Sequence, residues 1–419
     1  MAKSRNKKRK KGKKATVGAG DGAARRVFFN RFYKLLKMTG CSEAFRLLTQ
    51  KEKGNIYEGR VHLMQPKADS SENLPPDVLK FFIRYCTINR TVEDIVFVPG
   101  QERISFLDLL TVDAFKEYVE GISNAERKKE LETGFAGLLA AFEEFGDPFA
   151  PLCRYYNKLL AYGNWCFRTM YGFVAGIKCR NESVLGIYHY IHIKSFEPRV
   201  SMVNIGGKKR PVFQIGWPWL NEGVDWVFLE TSRLGTLYKG KKKKLPICIQ
   251  THAVNRFLGR NRPVPFNVCN YAMMLCFMNE ESFLIYNNRL LFEFYLNGVK
   301  TGYFLGDLIG NKVIIRTFLF ITNHDTPEGN KLEELSGLTK EDISFWNIDW
   351  LKPFMDNRLE EDHKLRKLFE EVGISDLFTL KDKLNLDKLS KTFKWEALQD
   401  YIQKGQLQIA EAMEEDHVI

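Results

Sequence analysis

"SFLIYNNRLLFEFYLNGVKTGYFLGDLIGNKVIIRTFLFIT" occupies residues 282–322. Three dipeptides, Asn287-Asn288, Asn297-Gly298 and Gly310-Asn311, interrupt four runs of aromatic, β-branched and other apolar residues. Asn and Gly tolerate the left-handed backbone of a two-residue hairpin turn, so the spacing predicts four strands in an antiparallel meander. A turn at Gly310-Asn311 pairs Ile309 with Lys312 and sets Asp307 opposite Ile314, diagonal to Arg316. In that last strand Val313, Ile315, Leu319 and Ile321 fall on one face, and Ile314, Phe318 and Phe320 on the other. A guanidinium between two apolar faces needs a partner or a task. An Asp307–Arg316 pair and a substrate-facing Arg316 both stay open.

The meander is preceded by "LPICIQTHAVNRFLGRNRPVPF", residues 245–266. A short strand (Ile247–Ile249) leads into a helix for which Thr251 is the expected cap. Pro263 and Pro265 end it, and Asn267 is expected to cap a second, apolar helix, Val268–Met278. The order is β-α-α followed by the meander. His252 and Arg256 are four apart and share a helix face. Arg260 lies one turn further, and Arg262 follows. The free N–H groups of a helix start favour an anion, and a histidine placed there exchanges protons near neutrality unless burial silences it. His252, Arg256, Arg316 and, just past the last strand, His324 are therefore the candidate catalytic residues for phosphate chemistry. A histidine base, arginines for phosphate charge and a further proton donor suffice to cleave RNA without metal: the 2′-OH attacks the adjacent phosphate and an acid protonates the leaving oxygen.

The β-α-α-meander segment resembles the small RelE/BrnT-type toxin ribonucleases and, more broadly, the barnase–EndoU–colicin–RelE-like fold group. The resemblance covers about a fifth of the chain. It implies basic and His/Tyr residues on and beside the sheet, carried here by His252, Arg256, Arg316 and Thr317, with Tyr303 or His324 as the acid.

Charge points the same way. The chain carries +12, with nine Lys/Arg and no acid in residues 1–14. Residues 331–419 hold twenty acidic and thirteen basic residues. A basic body with a basic arm (Lys7, Lys8, Arg9, Lys10 and Lys11 at its centre) predicts a polyanionic partner, RNA or another nucleic acid. The run Lys241, Lys242, Lys243 and Lys244, with Arg260 and Arg262, extends that nucleic-acid-binding surface. No apolar run approaches the about 20 residues of a membrane span, so no membrane partner is expected. Eight scattered cysteines contain no CxxC pair, which predicts no zinc ribbon or redox motif and fits a reducing cytoplasm. No P-loop, HExxH or nucleophile elbow appears, and neither a metal nor a cofactor is expected. His189 and His192, three apart on a strand, point to opposite faces and read as structural.

The expected architecture is α+β. Residues 1–26 form a disordered basic arm, 27–160 a helical domain, 161–240 a β-rich segment, 241–330 the RelE-like domain and 331–419 an acidic helical cap that leans on the basic middle. "TVDAFKEYVEGI" is expected to start a helix at a Thr cap, and "NAERKKELETGFAGLLAAFEEF" to form one helix. The lysine-rich stretch 238–246 reads as the domain boundary. The functional expectation is an RNA-binding protein with a metal-independent, ribonuclease-like domain. Two alternatives are kept: a non-catalytic RNA- or ribosome-binding protein using exposed aromatics such as Trp217 and Trp219, and a structural protein of a virion or mobile element.

Overall fold

The protein is described by a computed structural model covering residues 18–179, 187–355 and 363–384. The chain divides into two compact units: residues up to 156 with 175–192, and residues 157–174 with 193 onward. Helices and strands are both abundant, so the fold class is α+β as expected.

The first unit is mainly helical. Its first helix, α1 (Gly18–Met38), takes in residues 18–26, so the arm is shorter than its composition predicts. Lys7 to Lys11 lie outside the described residues. Helix α2 (Gln50–Glu58) starts at a capping box in which Thr49 and Glu52 satisfy each other's backbone N–H. Helix α3 (Pro76–Thr91) opens with Pro at its first position, where no N–H is needed. Helix α4 (Phe106–Glu120) begins at a second capping box, Ser105 with Asp108. The Thr111 start is thereby corrected: Thr111 is buried mid-helix and its hydroxyl donates to the Asp108 carbonyl. The expected long helix at 124–145 is two, α5 (Ala125–Gly134) and α6 (Ala136–Phe145), broken at Phe135, and α7 (Ala150–Gly163) follows. A side chain at Gly134 would meet the end of the exposed Leu47 side chain at 2.6 Å, which would have to turn aside. Phe32, Phe115 and Phe135 meet in the core, with ring centroids 4.5 to 6.2 Å apart. A short strand β1 (Val61–Leu63) runs parallel to β2 (Ile187–Phe196), pairing Leu63 with His189.

The second unit is built on an eight-stranded sheet. Its strands are β3 (Val200–Ile205), β4 (Lys208–Gln214), β5 (Phe228–Glu230), β6 (Lys244–Ile249), β7 (Phe283–Tyr286), β8 (Arg289–Leu296), β9 (Val299–Ile309) and β10 (Lys312–Phe320). Their order is β7-β8-β9-β10-β6-β4-β3, with β5 beside β6. The meander has the expected turns: Asn287, Asn288, Asn297, Gly298 and Gly310 all take positive φ. Asp307 opposes Ile314 and Ile309 opposes Lys312.

The boundary placed at 238–246 is corrected. β6 starts inside the lysine run and pairs on both sides, parallel to β10 and antiparallel to β4. The β-rich segment 161–240 and the segment 241–330 therefore share one sheet. The lysines misled because Lys241, Lys242 and Lys243 are exposed just ahead of a strand whose next residue but one, Leu245, is buried.

A second correction concerns the faces of β10. Leu305 pairs with Thr317, but Gly306 pairs with Ile315, so Arg316 is the extra residue of a β-bulge. The bulge reverses the alternation beyond it. Val313 and Ile315 share the large core with Phe318 and Phe320, while Ile314 joins Val212, Cys248 and Ile205 on the opposite face. That second cluster is built from strand residues alone.

Helices α8 (Thr251–Arg260) and α9 (Phe266–Met278) cover the core face. Phe257 of α8 sits 4.8 to 5.2 Å from Phe294, Phe304 and Phe318. Burying such a side chain contributes roughly 1.5–3 kcal/mol. The expected caps are corrected: Gln250 and Pro265 occupy the two N-cap positions, neither with a side-chain cap.

Among the helices that follow the sheet are α10 (Pro327–Ser336), α11 (Lys340–Phe345) and, after a short turn of helix at Leu351–Phe354, α12 (His363–Val372). Leu332, Ile343, Leu365 and Phe369 belong to the same buried cluster as the sheet. This part of the acidic region is thus attached mainly by apolar burial, with Asp349 on Arg260 and Glu333 on His324 as its charged contacts. The helix expected in "KWEALQDYIQKG" lies outside the described residues. Among the described residues no helix is long and apolar enough to cross a membrane.

Candidate nucleic-acid interface

The parallel pair β6 and β10 brings the foot of α8 beside the bulge. Gln250 donates its backbone N–H to the Ile315 carbonyl at 3.2 Å. Its side chain does not cap the helix. Instead its Oε1 accepts from Arg316 Nε at 3.0 Å. The first-turn N–H groups of α8 are left without a side-chain cap, at the carboxyl end of a parallel strand pair, where open sheets commonly bind ligands.

Helix α8 is amphipathic. Ala253, Val254 and Phe257 are buried, which turns Thr251, His252, Asn255 and Arg256 outward. His252 and Arg256 are exposed one turn apart, and no carboxylate lies within ion-pair distance of Arg256 among the described residues. Arg262, past the helix end, is exposed too. Arg316 is half-exposed beside the Gln250 side chain, with Asp307 Oδ2 2.9 Å from its Nη1. Both readings of Arg316 thus meet in one residue: it has its carboxylate, yet the pair faces water. Thr317 is half-buried beside it.

Three assignments change. Arg260 is not a surface cation. Its guanidinium points inward and donates to the Phe318 carbonyl at 2.6 Å, to Asn323 Oδ1 and to Asp349 Oδ2 at 3.4 Å. The cause is the 100° helical step: Phe257 faces the core, and the residue three on lies beside it. His324 is held by α10, its Nδ1 2.9 Å from Glu333 Oε2, with Nε2 buried and unpartnered. Nothing aims it at His252. Tyr303 is fully buried, and its hydroxyl donates to Glu328 at 2.7 Å; burial first, then the Glu328 charge, pushes it far above the usual tyrosine range. A phenol so placed is a structural donor, not an acid for a leaving group. The structure therefore puts His252 and Arg256 outward on α8, ties Arg316 to Gln250 at the start of that helix, and engages His324, Arg260 and Tyr303 elsewhere.

Lys241, Lys242 and Lys243 are exposed, and Lys244 pairs with Glu230 at 2.8 Å. A further basic element went unread in the sequence. The hairpin joining β3 and β4 turns at Gly206-Gly207 and exposes Lys208, Lys209 and Arg210. Its signal was present as "GGKKR", a glycine turn flanked by strands. Of the expected aromatic contacts, Trp217 is buried and Trp219 half-buried against the core. Among the described residues the most exposed large apolar side chain is Phe345, at 76%. Among the described residues no group of three His, Cys, Asp or Glu side chains could hold a metal.

Comparison of the chain with protein-family models, with curated proteins and with solved structures gives no match.

Proposed function

We propose that the protein binds RNA through the outward face of α8 and the exposed lysines ahead of β6, with residues 1–14 as a second, electrostatic contact. The observation that supports this most is the foot of α8. It combines an uncapped helix start, an outward His252 and Arg256 without a carboxylate, and Arg316 tethered by Gln250. Cations at such a site neutralise phosphates and release counterions, so binding is salt-dependent. The RelE-like ribonuclease is the second reading, favoured by the one-turn spacing of His252 and Arg256. It requires a leaving-group acid, and the two side chains expected to supply it are engaged with Glu333 and Glu328.

One titration separates the two. Fluorescein-labelled single-stranded RNA is bound by the full chain, by Arg256→Ala and by His252→Ala across a salt series. Arg256→Ala should lower the log–log salt slope by about 1, the loss of one phosphate contact. His252→Ala should leave binding nearly unchanged. RNA integrity is followed in the same tubes: cleavage that His252→Ala abolishes would establish the enzyme. An affinity independent of salt would refute the phosphate-contact reading altogether.

A further inference from the structure

The helical unit contains a cavity of about 320 Å³, walled by one face of α1, the end of α2 with the turn into β1, and the start of α4. Val27, Phe28 and Arg31 are three and four residues apart, so they line up on that face of α1. Phe28, Tyr57 and Leu110 are buried against the cavity, the Phe28 and Tyr57 rings 5.5 Å apart at 80°. Val27 is 50% exposed and marks its mouth.

Two guanidiniums line this otherwise apolar space, and no carboxylate does. Both are held in place. Arg60 lies over the Tyr57 ring, 3.5 Å from its centroid, and its Nη1 donates to the Tyr57 carbonyl. Arg31 has its Nε 3.6 Å from Asp108 Oδ1. Asp108 is already engaged, because its Oδ2 closes the Ser105 capping box. At that length it offsets the Arg31 charge only in part.

We propose that this cavity is a binding site for a small amphiphilic carboxylate, of the size and chemistry of a medium-chain fatty acid. An apolar pocket with a few placed polar groups binds an apolar body and orients its head. The planar fork of a guanidinium matches a carboxylate. A cavity of about 150 Å³ holds benzene, so this one holds roughly a dozen non-hydrogen atoms. The basic arm is a poor occupant, since residues 1–14 carry nine Lys/Arg and no acid. A nucleic-acid strand is a poor one too, because a ribose-phosphate chain gives the apolar wall little to bury. The inference is independent of the RNA-binding reading, which concerns α8.

The test uses the full chain and sodium octanoate in titration calorimetry. Octanol supplies the chain without the charge, and butyrate the head without the chain. Octanoate should bind at a single site and raise the thermal melt. Octanol and butyrate should each bind more weakly, because each lacks one half of the match. Arg60→Gln should weaken octanoate about tenfold, the size of one charge-assisted hydrogen bond, and leave octanol unchanged. Val27→Trp should fill the mouth and weaken octanoate and octanol alike, with the melt unchanged because Val27 already meets water. If Val27→Trp melts early, Arg60→Gln alone decides. No octanoate binding at about 1 mM would overturn the site, as would binding that neither variant alters. Octanol binding as tightly as octanoate, or inorganic phosphate displacing octanoate at equal concentration, would overturn the carboxylate assignment.

Discussion

The two units each bury an arginine, and they compensate it differently. In the sheet unit Arg260 has a carbonyl, an amide oxygen and the Asp349 carboxylate. In the helical unit Arg90, 7% exposed, donates to the Met64 carbonyl at 2.8 Å and reaches the Leu63 carbonyl at 3.5 Å. No carboxylate lies within ion-pair distance of it among the described residues. The titratable groups that feel its charge include His189, Tyr156 and Cys86, the histidine ring 6.1 Å from the tyrosine ring. A buried cation is tolerable in two ways: pair it, or surround it with dipoles and keep every neighbour neutral. The sheet unit does the first and the helical unit the second.

The largest effect tests the paired case. Asp349→Ala leaves Arg260 buried without its counter-charge and should cost roughly 3–5 kcal/mol, the usual penalty of breaking a buried pair from one side. Chemical denaturation of the full chain, followed by far-ultraviolet circular dichroism, would measure it. Replacing both partners, Arg260→Met with Asp349→Leu, should recover much of the loss, because no unpaired charge remains. A loss below about 1 kcal/mol in the single variant would mean that the carbonyl and amide suffice, and the contrast between the units would disappear.

The unpaired case is tested by acid. Burial, and then the Arg90 charge, hold the His189 imidazole down at about 4. A histidine with a depressed folded value is neutral in both states above about 6.5, so its contribution is intact there. As pH falls from about 6.5 to about 4 the unfolded chain takes the proton and the folded chain does not, and stability is lost. The full difference is about 3 kcal/mol at 1.36 kcal/mol per unit. Asp113 works in the opposite direction: burial raises it to about 6, so acid favours the folded form. Comparing wild type with His189→Phe between pH 7 and pH 4.5 isolates the histidine. If both lose stability equally, Arg90 does not need a neutral neighbour.

The same contrast shows why some of this was legible and some not. The meander was readable because each turn needs positive φ and only Asn and Gly were offered there; the Asp307–Ile314 register followed by counting. The bulge at Arg316 was not readable, since alternation assumes one residue per pair and nothing in "KVIIRTFLFIT" marks the extra one. Arg256 and Arg260 look alike in sequence. Whether each meets water or a carboxylate depends on Asp349, 89 positions beyond Arg260. The lysine run resembled a linker because exposed charge before a strand has the composition of a loop. The Gly206-Gly207 hairpin was within reach of the same turn rule that found the meander.

Arg316 lies between the two cases, and the smallest effect belongs to it. Its Asp307 partner is 2.9 Å away, as close as a buried pair would be. Yet the two side chains are 35% and 47% exposed, so water screens the attraction and hydrates what is left behind. Had β10 alternated regularly, Arg316 would have entered a face shared with Ile314 or with the core, and its removal would strand Asp307 at the cost of a buried pair. The bulge instead lifts it beside the Gln250 side chain at the sheet surface. Arg316→Ala should therefore cost about 1 kcal/mol or less in a denaturant titration, while reducing the salt slope of RNA binding if the guanidinium exchanges Asp307 for phosphate. Arg316→Lys should keep that slope but lose the tie to Gln250, because an ammonium lacks the planar fork that serves two partners at once. A loss of 3 kcal/mol or more in Arg316→Ala, with RNA binding unchanged, would move Arg316 into the company of Arg260: a structural cation that happens to lie near the surface.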